Sequence, residues 1–161
     1  MSRSDITQTD VLTAIATKLR SELSLTDRTC FVSLEPYPIA IPKGGDYFVT
    51  VAPGDGVFVE GEQYPGNCTE EWTIIVTAFS RMMLDSTDHD LKVLQETTRG
   101  LLVLKAKLLE VLVGADPTSG GDTFVRNLIF AQRAERPAAG QDNILAWISL
   151  DFGVHFDWDL T

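Results

Sequence analysis

The chain has 161 residues, with 13 Lys and Arg against 23 Asp and Glu, a formal charge of −10, and 44% apolar residues. That length and composition set aside disordered, fibrous and membrane-embedded classes and predict one soluble globular domain spanning 1–161. The acidic balance sets aside the basic surface that tight nucleic-acid binding needs, and it disfavours anionic membranes.

The opening segment, MSRSDITQTD, lacks the apolar stretch of a signal peptide, and no apolar run approaches the ~18 residues that span a bilayer, so a cytosolic site of synthesis is expected. From about Asp10 to Leu23, Leu12, Ile15, Ala16, Leu19 and Leu23 recur at helical spacing opposite Lys18, Arg20 and Glu22. The spacing predicts an amphipathic helix capped by Thr9. Cys30 to Leu34 then reads as a short strand entering a long loop punctuated by Pro36, Pro38, Pro42, Gly44 and Gly45.

Tyr47 to Val51 reads as a second strand, Pro53-Gly54-Asp55-Gly56 as a turn, and Val57 to Glu60 as a weak extended piece. Trp72 to Phe79 is dense in β-branched and aromatic residues and predicts a strand; the three runs together suggest an antiparallel meander. Ser86 to Asp90 supplies capping residues for a long helix continuing to Val113, with Gly100 in its middle. Gly114 and Pro117 end it, and a flexible connection, Thr118 to Asp122, leads to a strand over Thr123 to Ala134.

The clearest pattern closes the chain. Ile144, Ala146, Ile148, Leu150, Phe152, Val154, Phe156, Trp158 and Leu160 alternate with Ser149, Asp151, Gly153, His155, Asp157 and Asp159. A period of two over that length predicts a long strand with one buried face and one wet face, with a bulge at Gly153. The expected fold class is therefore α/β in the α+β sense: an antiparallel or mixed sheet, a long helix packed across one face, and an N-terminal amphipathic helix.

The chemistry-bearing residues converge on no reaction. Asp88-His89-Asp90 falls in a helix's first turn, where consecutive side chains fan apart and offset the helix dipole instead of gathering on a metal. His155 and Asp157 share a strand face, but Gly153 offers no ligand and Asp151 lies too far along the strand. Asp55, Glu60, Glu62, Glu70 and Glu71 lie in turn-rich stretches, and no phosphate loop or nucleophile elbow is present. Cys30 and Cys68 are too few for a zinc site or disulfide framework and read as reduced thiols. The expectation is no enzyme, no cofactor and no metal.

Two stretches suit protein contacts instead. Arg81-Met82-Met83-Leu84 follows the central strand with adaptable apolar groups and a cation. Pro36 to Gly45 displays Tyr37, Ile39 and Ile41 on a segment too proline-broken for a core strand; it either folds back over the domain or reaches a neighbour.

Taken in order, the helix DVLTAIATKLRSEL, the strand and boundary WTIIVTAFSRMMLD, the helix LLVLKAKLLEVLVG and the closing strand WISLDFGVHFDWDL resemble the tail terminator, or tail completion, proteins of long-tailed bacteriophages, the group that includes the minor tail protein U of lambda. The resemblance implies a virion assembly protein made in the bacterial cytoplasm and residing in the tail or neck. It implies a homohexameric ring on the tail tube protein that stops tube growth and faces the head connector, with no catalytic residue. Subunit contacts are expected from Pro36 to Gly45, Gly54 to Gly66 and Arg81 to Leu84. Six copies would carry on the order of −60 charges, around a channel through which DNA passes without adhering. Two other classes stand beside it: a small metal-dependent enzyme using His155 and Asp157, and an adaptor of a contractile injection system.

Overall fold

The computed structural model describes residues 7–38, 40, 42–59, 67–81, 94–115, 129–134, 138–139 and 145–159. The elements are α1 (Gln8–Leu23), β1 (Cys30–Val32), β2 (Tyr47–Phe58), β3 (Asn67–Arg81), α2 (Leu101–Leu112), β4 (Ile129–Ala134), β5 (Ala138–Ala139) and β6 (Leu145–Asp159). The architecture is α+β, with a mixed sheet in the order β1-β2-β3-β6-β4 and β5 beside β4 on the outer side of β6.

The period-two pattern at the end of the chain becomes β6, which pairs antiparallel with β3 without interruption from Asn67 opposite Asp159 to Arg81 opposite Leu145. Gly153 sits in register opposite Thr73, so the bulge expected there does not occur in this ladder. The irregularity falls in β2, where Gly54 and Asp55 together oppose Thr73, the two-against-one pairing of a β-bulge. The bulge lets β2 run on through Pro53 and two glycines that the sequence suggests as a turn. At Gly56 the Glu70 carboxylate lies across the space a Cβ would take, so a larger residue there would push that side chain aside.

β1 runs parallel to β2, with Cys30 opposite Val49, so the first three strands are not an antiparallel meander. The physical reason is the long proline segment, which crosses back over the sheet instead of making a hairpin. The outer carbonyl of Cys30 accepts from Arg20 Nε of α1 at 2.7 Å, which closes part of the sheet's edge.

α1 buries Val11, Leu12, Ile15, Ala16 and Leu19. Its cap is Thr7 and not Thr9: the Thr7 hydroxyl accepts from Asp10 N–H, while the Asp10 carboxylate accepts from Thr7 N–H at 2.7 Å. The second helix is interrupted where its leucines suggest continuity: Leu94 and Gln95 are helical, residues 96–100 are not, and residues 86–93 of the expected helix lie outside the described residues. Glu96 accepts from the backbone N–H groups of Thr98 and Arg99, which turns the chain over Thr97–Arg99, and Gly100 then serves as the extended N-cap of α2. A Cβ on Gly100 would strike the Glu96 backbone, so this glycine marks the start of a helix and not a contact at its middle.

Both helices cover one face of the sheet. Leu101, Leu104, Leu108 and Leu112 of α2 meet Val49, Val51, Ile74, Val76, Ile148, Leu150 and Phe152, together with the apolar face of α1. Burying these aliphatic and aromatic groups, at about 25 cal/mol per Å² of apolar surface, is the main force holding the helix layer on.

Candidate assembly interface

On the other face, successive rows of side chains across β2, β3 and β6 change character along the strands. The first row is aromatic: Phe48, Phe79 and Trp147 are direct cross-strand neighbours, and Phe31 of β1 extends the row. Phe48 stacks on Phe79 with ring centroids 4.6 Å apart, and Tyr37 meets Trp147 edge-on at 5.3 Å. The second row is hydroxylic: Thr77 and Ser149 share a buried hydrogen bond of 2.8 Å, and Thr50 Oγ1 donates to the Pro36 carbonyl at 2.8 Å. Next come Ala52, Ile75 and Asp151, then Thr73 and Gly153, then Val57, Glu71 and His155.

The hydrogen bonds and ring contacts of the proline segment fall on the first two rows. Trp147 Nε1 donates to Tyr37 Oη at 2.8 Å, and the Arg81 guanidinium donates to the Gly45 carbonyl at 2.9 Å and to the carbonyls of Gly44 and Pro42. Of the residues named as candidate contacts, Tyr37 therefore folds back on the sheet with 43% of its surface exposed, and Arg81 is engaged within the chain. Ile39, Ile41, Met82, Met83 and Leu84 lie outside the described residues. The wet face expected for β6 is thus wet only beyond Ser149, which is itself buried. Trp147 and Leu145, apolar groups at odd positions, were the signal in the sequence that this face would be covered at one end.

Past Trp72 and Val154, the last residues of β3 and β6 in the helix-side core, the β2, β3 and β6 strands continue as a three-stranded arm. Five residues of β3, Glu71 back to Asn67, extend it by about 15 Å. Among the described residues no strand pairs with its outer edges, since β1 stops opposite Val51 and β4 stops opposite Gly153. Val57 and Phe58 stand 68% and 51% exposed on its two faces. At its root, Gln8 Nε2 of α1 donates to Glu70 at 3.0 Å. The arm falls within the Gly54 to Gly66 stretch expected to make subunit contacts.

His155 lies on this arm, with its Nε2 3.6 Å from the Glu71 carboxylate across the strands. A cross-strand pair accounts for this histidine, and among the described residues no group of three or more His, Cys, Asp or Glu is placed to hold a metal. Asp88-His89-Asp90 lies outside the described residues. Cys30 is buried, and burial pushes its thiol up to about 11, the direction of an unreactive packing group. Among the described residues, no helix is long and apolar enough to cross a membrane.

No protein-family model matches the chain, and no curated protein does. Among solved structures it is similar to a chain of the virion of a native gene transfer agent particle, at 19% identity and a TM-score of 0.47, over 91% of this chain and 93% of that one. A similarity at that level speaks to neither the role nor the residues of this chain.

Proposed function

We propose that this chain is a structural protein of a phage-type virion, a tail terminator or neck protein that caps the tail tube as a ring and offers the surface to which the head joins. The observation that carries this reading is the arm: a sheet extension whose outer edges pair with no strand among the described residues, with Val57 and Phe58 exposed on its two faces. An exposed strand edge beside apolar surface is a liability in a monomer and an asset in a subunit. The order of helix, central strand, leucine-rich helix and closing strand in the sequence points the same way. The exposed edge of Tyr37 and the Arg81 corner are further contact candidates, and the net acidity suits a ring through which DNA slides.

The test is electron microscopy of tail tubes assembled without a terminator. Added protein is expected to cap the tubes with a ring and fix their length. Tubes that keep growing, with the protein left unbound, would overturn the reading.

A further inference from the structure

Gly153 lies inside β6, in register opposite Thr73 and outside the left-handed region, so its backbone does not call for glycine. Glycine within a strand often marks a bulge or the close approach of another chain, and the unbroken β3–β6 ladder leaves the second. It sits in a shallow groove on the face turned away from the helices, lined also by Asp55, Val57, Glu71, Thr73 and His155. Val57 is 68% exposed and the Glu71 side chain 63%. Among the described residues lining this groove, only His155 can carry a positive charge. The arm segments Asp55–Phe58, Asn67–Glu71 and His155–Asp159 hold Asp55, Glu70, Glu71, Asp157 and Asp159 and no lysine or arginine.

We propose that this groove receives a cationic, apolar segment of a different protein. Its backbone passes over Thr73 and Gly153, an apolar side chain rests on Val57, and a lysine or arginine lies between the Asp55 and Glu71 carboxylates. This names the chemistry of the partner at the arm and rests on the reading above that the arm is a contact surface. Charge selects the occupant: exposed carboxylates beside an exposed valine repel acidic segments and attract a segment that carries cations among apolar groups. A second copy of this chain fits poorly, because most of its described cations are accompanied or engaged. Lys18, Lys105 and Lys107 stand on helices that also present Glu22 and Glu110. Arg20, Arg81 and Arg99 are held by the Cys30 carbonyl, by the carbonyls of the proline segment and by Asp46. A small organic cation would satisfy the carboxylates and leave Val57 bare.

The test is titration of the full chain with a short, end-blocked peptide alternating lysine with valine, followed through the backbone amide resonances. Saturable binding is expected, with shifts concentrated at Val57, Thr73 and Gly153. Glu71→Lys should weaken it about tenfold, whereas Glu22→Lys, the same change of charge at an exposed position of α1, should leave it unchanged. A peptide alternating lysine with serine should bind about tenfold more weakly than the valine peptide. Failure of the lysine–valine peptide to bind, an equal loss from Glu22→Lys, equal binding of the serine peptide, or self-association of the chain that Glu71→Lys abolishes each overturn this contact, and capping of tail tubes would still uphold the ring reading. Protein that neither binds the peptide nor caps tubes overturns the two together.

Discussion

The same three strands make the body of the molecule and its arm, with one unbroken β3–β6 ladder running through both. In the body, Ile74, Val76, Ile148, Leu150 and Phe152 meet two helices on one face, while Thr77 and Ser149 are sealed beneath the proline segment on the other. In the arm the ladder continues past the helix-side core, and Val57 and Phe58 are exposed. Backbone pairing extends a sheet, whereas its stability comes from what covers its faces; the difference separates residues that hold this fold from those free to serve a partner.

The comparison breaks most readily at Phe152, fully buried under the helix layer. Phe152→Ala is expected to destabilise by about 3–5 kcal/mol, from lost transfer energy and the cavity left behind. A denaturant titration should show an earlier midpoint with an unchanged slope. A loss below about 1 kcal/mol would mean that the helix layer is not closed over the sheet as described.

The opposite face tests a different kind of cover. The proline segment is irregular and holds on by directed bonds, above all the Arg81 guanidinium on the carbonyls of Pro42, Gly44 and Gly45. Arg81→Ala should lie toward the lower end of the ~1.5–3 kcal/mol typical of hydrogen bonds from a charged group, because the site is partly open to water. Limited proteolysis should begin in residues 42–46, while α1 and α2 stay protected. Arg81→Lys should recover little, since an ammonium lacks the planar fork that reaches several carbonyls together.

On the arm, the expected change in stability is near zero. Val57→Ser with Phe58→Ser should alter folding free energy by no more than about 0.5 kcal/mol, the range of surface substitutions, and should reduce ring formation on tail tubes. A melting temperature several degrees lower would place these residues in the body's core. Unchanged capping of tubes would remove the arm from the interface.

What the sequence made legible follows the same division. The helix-side core could be read directly, because β6 alternates and α1 repeats at helical spacing, and both patterns are consequences of burial on one face. The covering of the second face was half-legible. Trp147 broke the polar set of odd positions, but its partner Tyr37 lies 110 residues away, and no local pattern announces a contact that distant. The parallel β1 and the turn at Thr97–Arg99 escaped for another reason. Strand direction depends on where a loop travels, and a single carboxylate, Glu96, overrides the leucine periodicity around it. The arm's residues were legible as turn-rich and acidic, but the bulge that turns Pro53 to Gly56 into continuous strand has no periodic signature.

The last expected effect depends on pH and lies where arm and body meet. Asp10 completes the cap of α1, and Gln8, in the same turn, holds Glu70 at the arm's root. Hydrogen bonds from the Thr7 hydroxyl and backbone N–H hold the Asp10 carboxyl below its ordinary value of 3.8, in spite of a small opposing effect of burial. A carboxyl lowered by folding contributes stability that is present above its unfolded value and is lost as pH falls through its folded value. Asp10→Asn should therefore be less stable than the parent at neutral pH, with the gap closing below about pH 4 as the parent's own carboxyl takes up a proton. Denaturant midpoints for the two proteins across that range would show it. A gap that stays constant with pH would mean that the charge contributes nothing, and that the cap rests on the Thr7 hydroxyl alone.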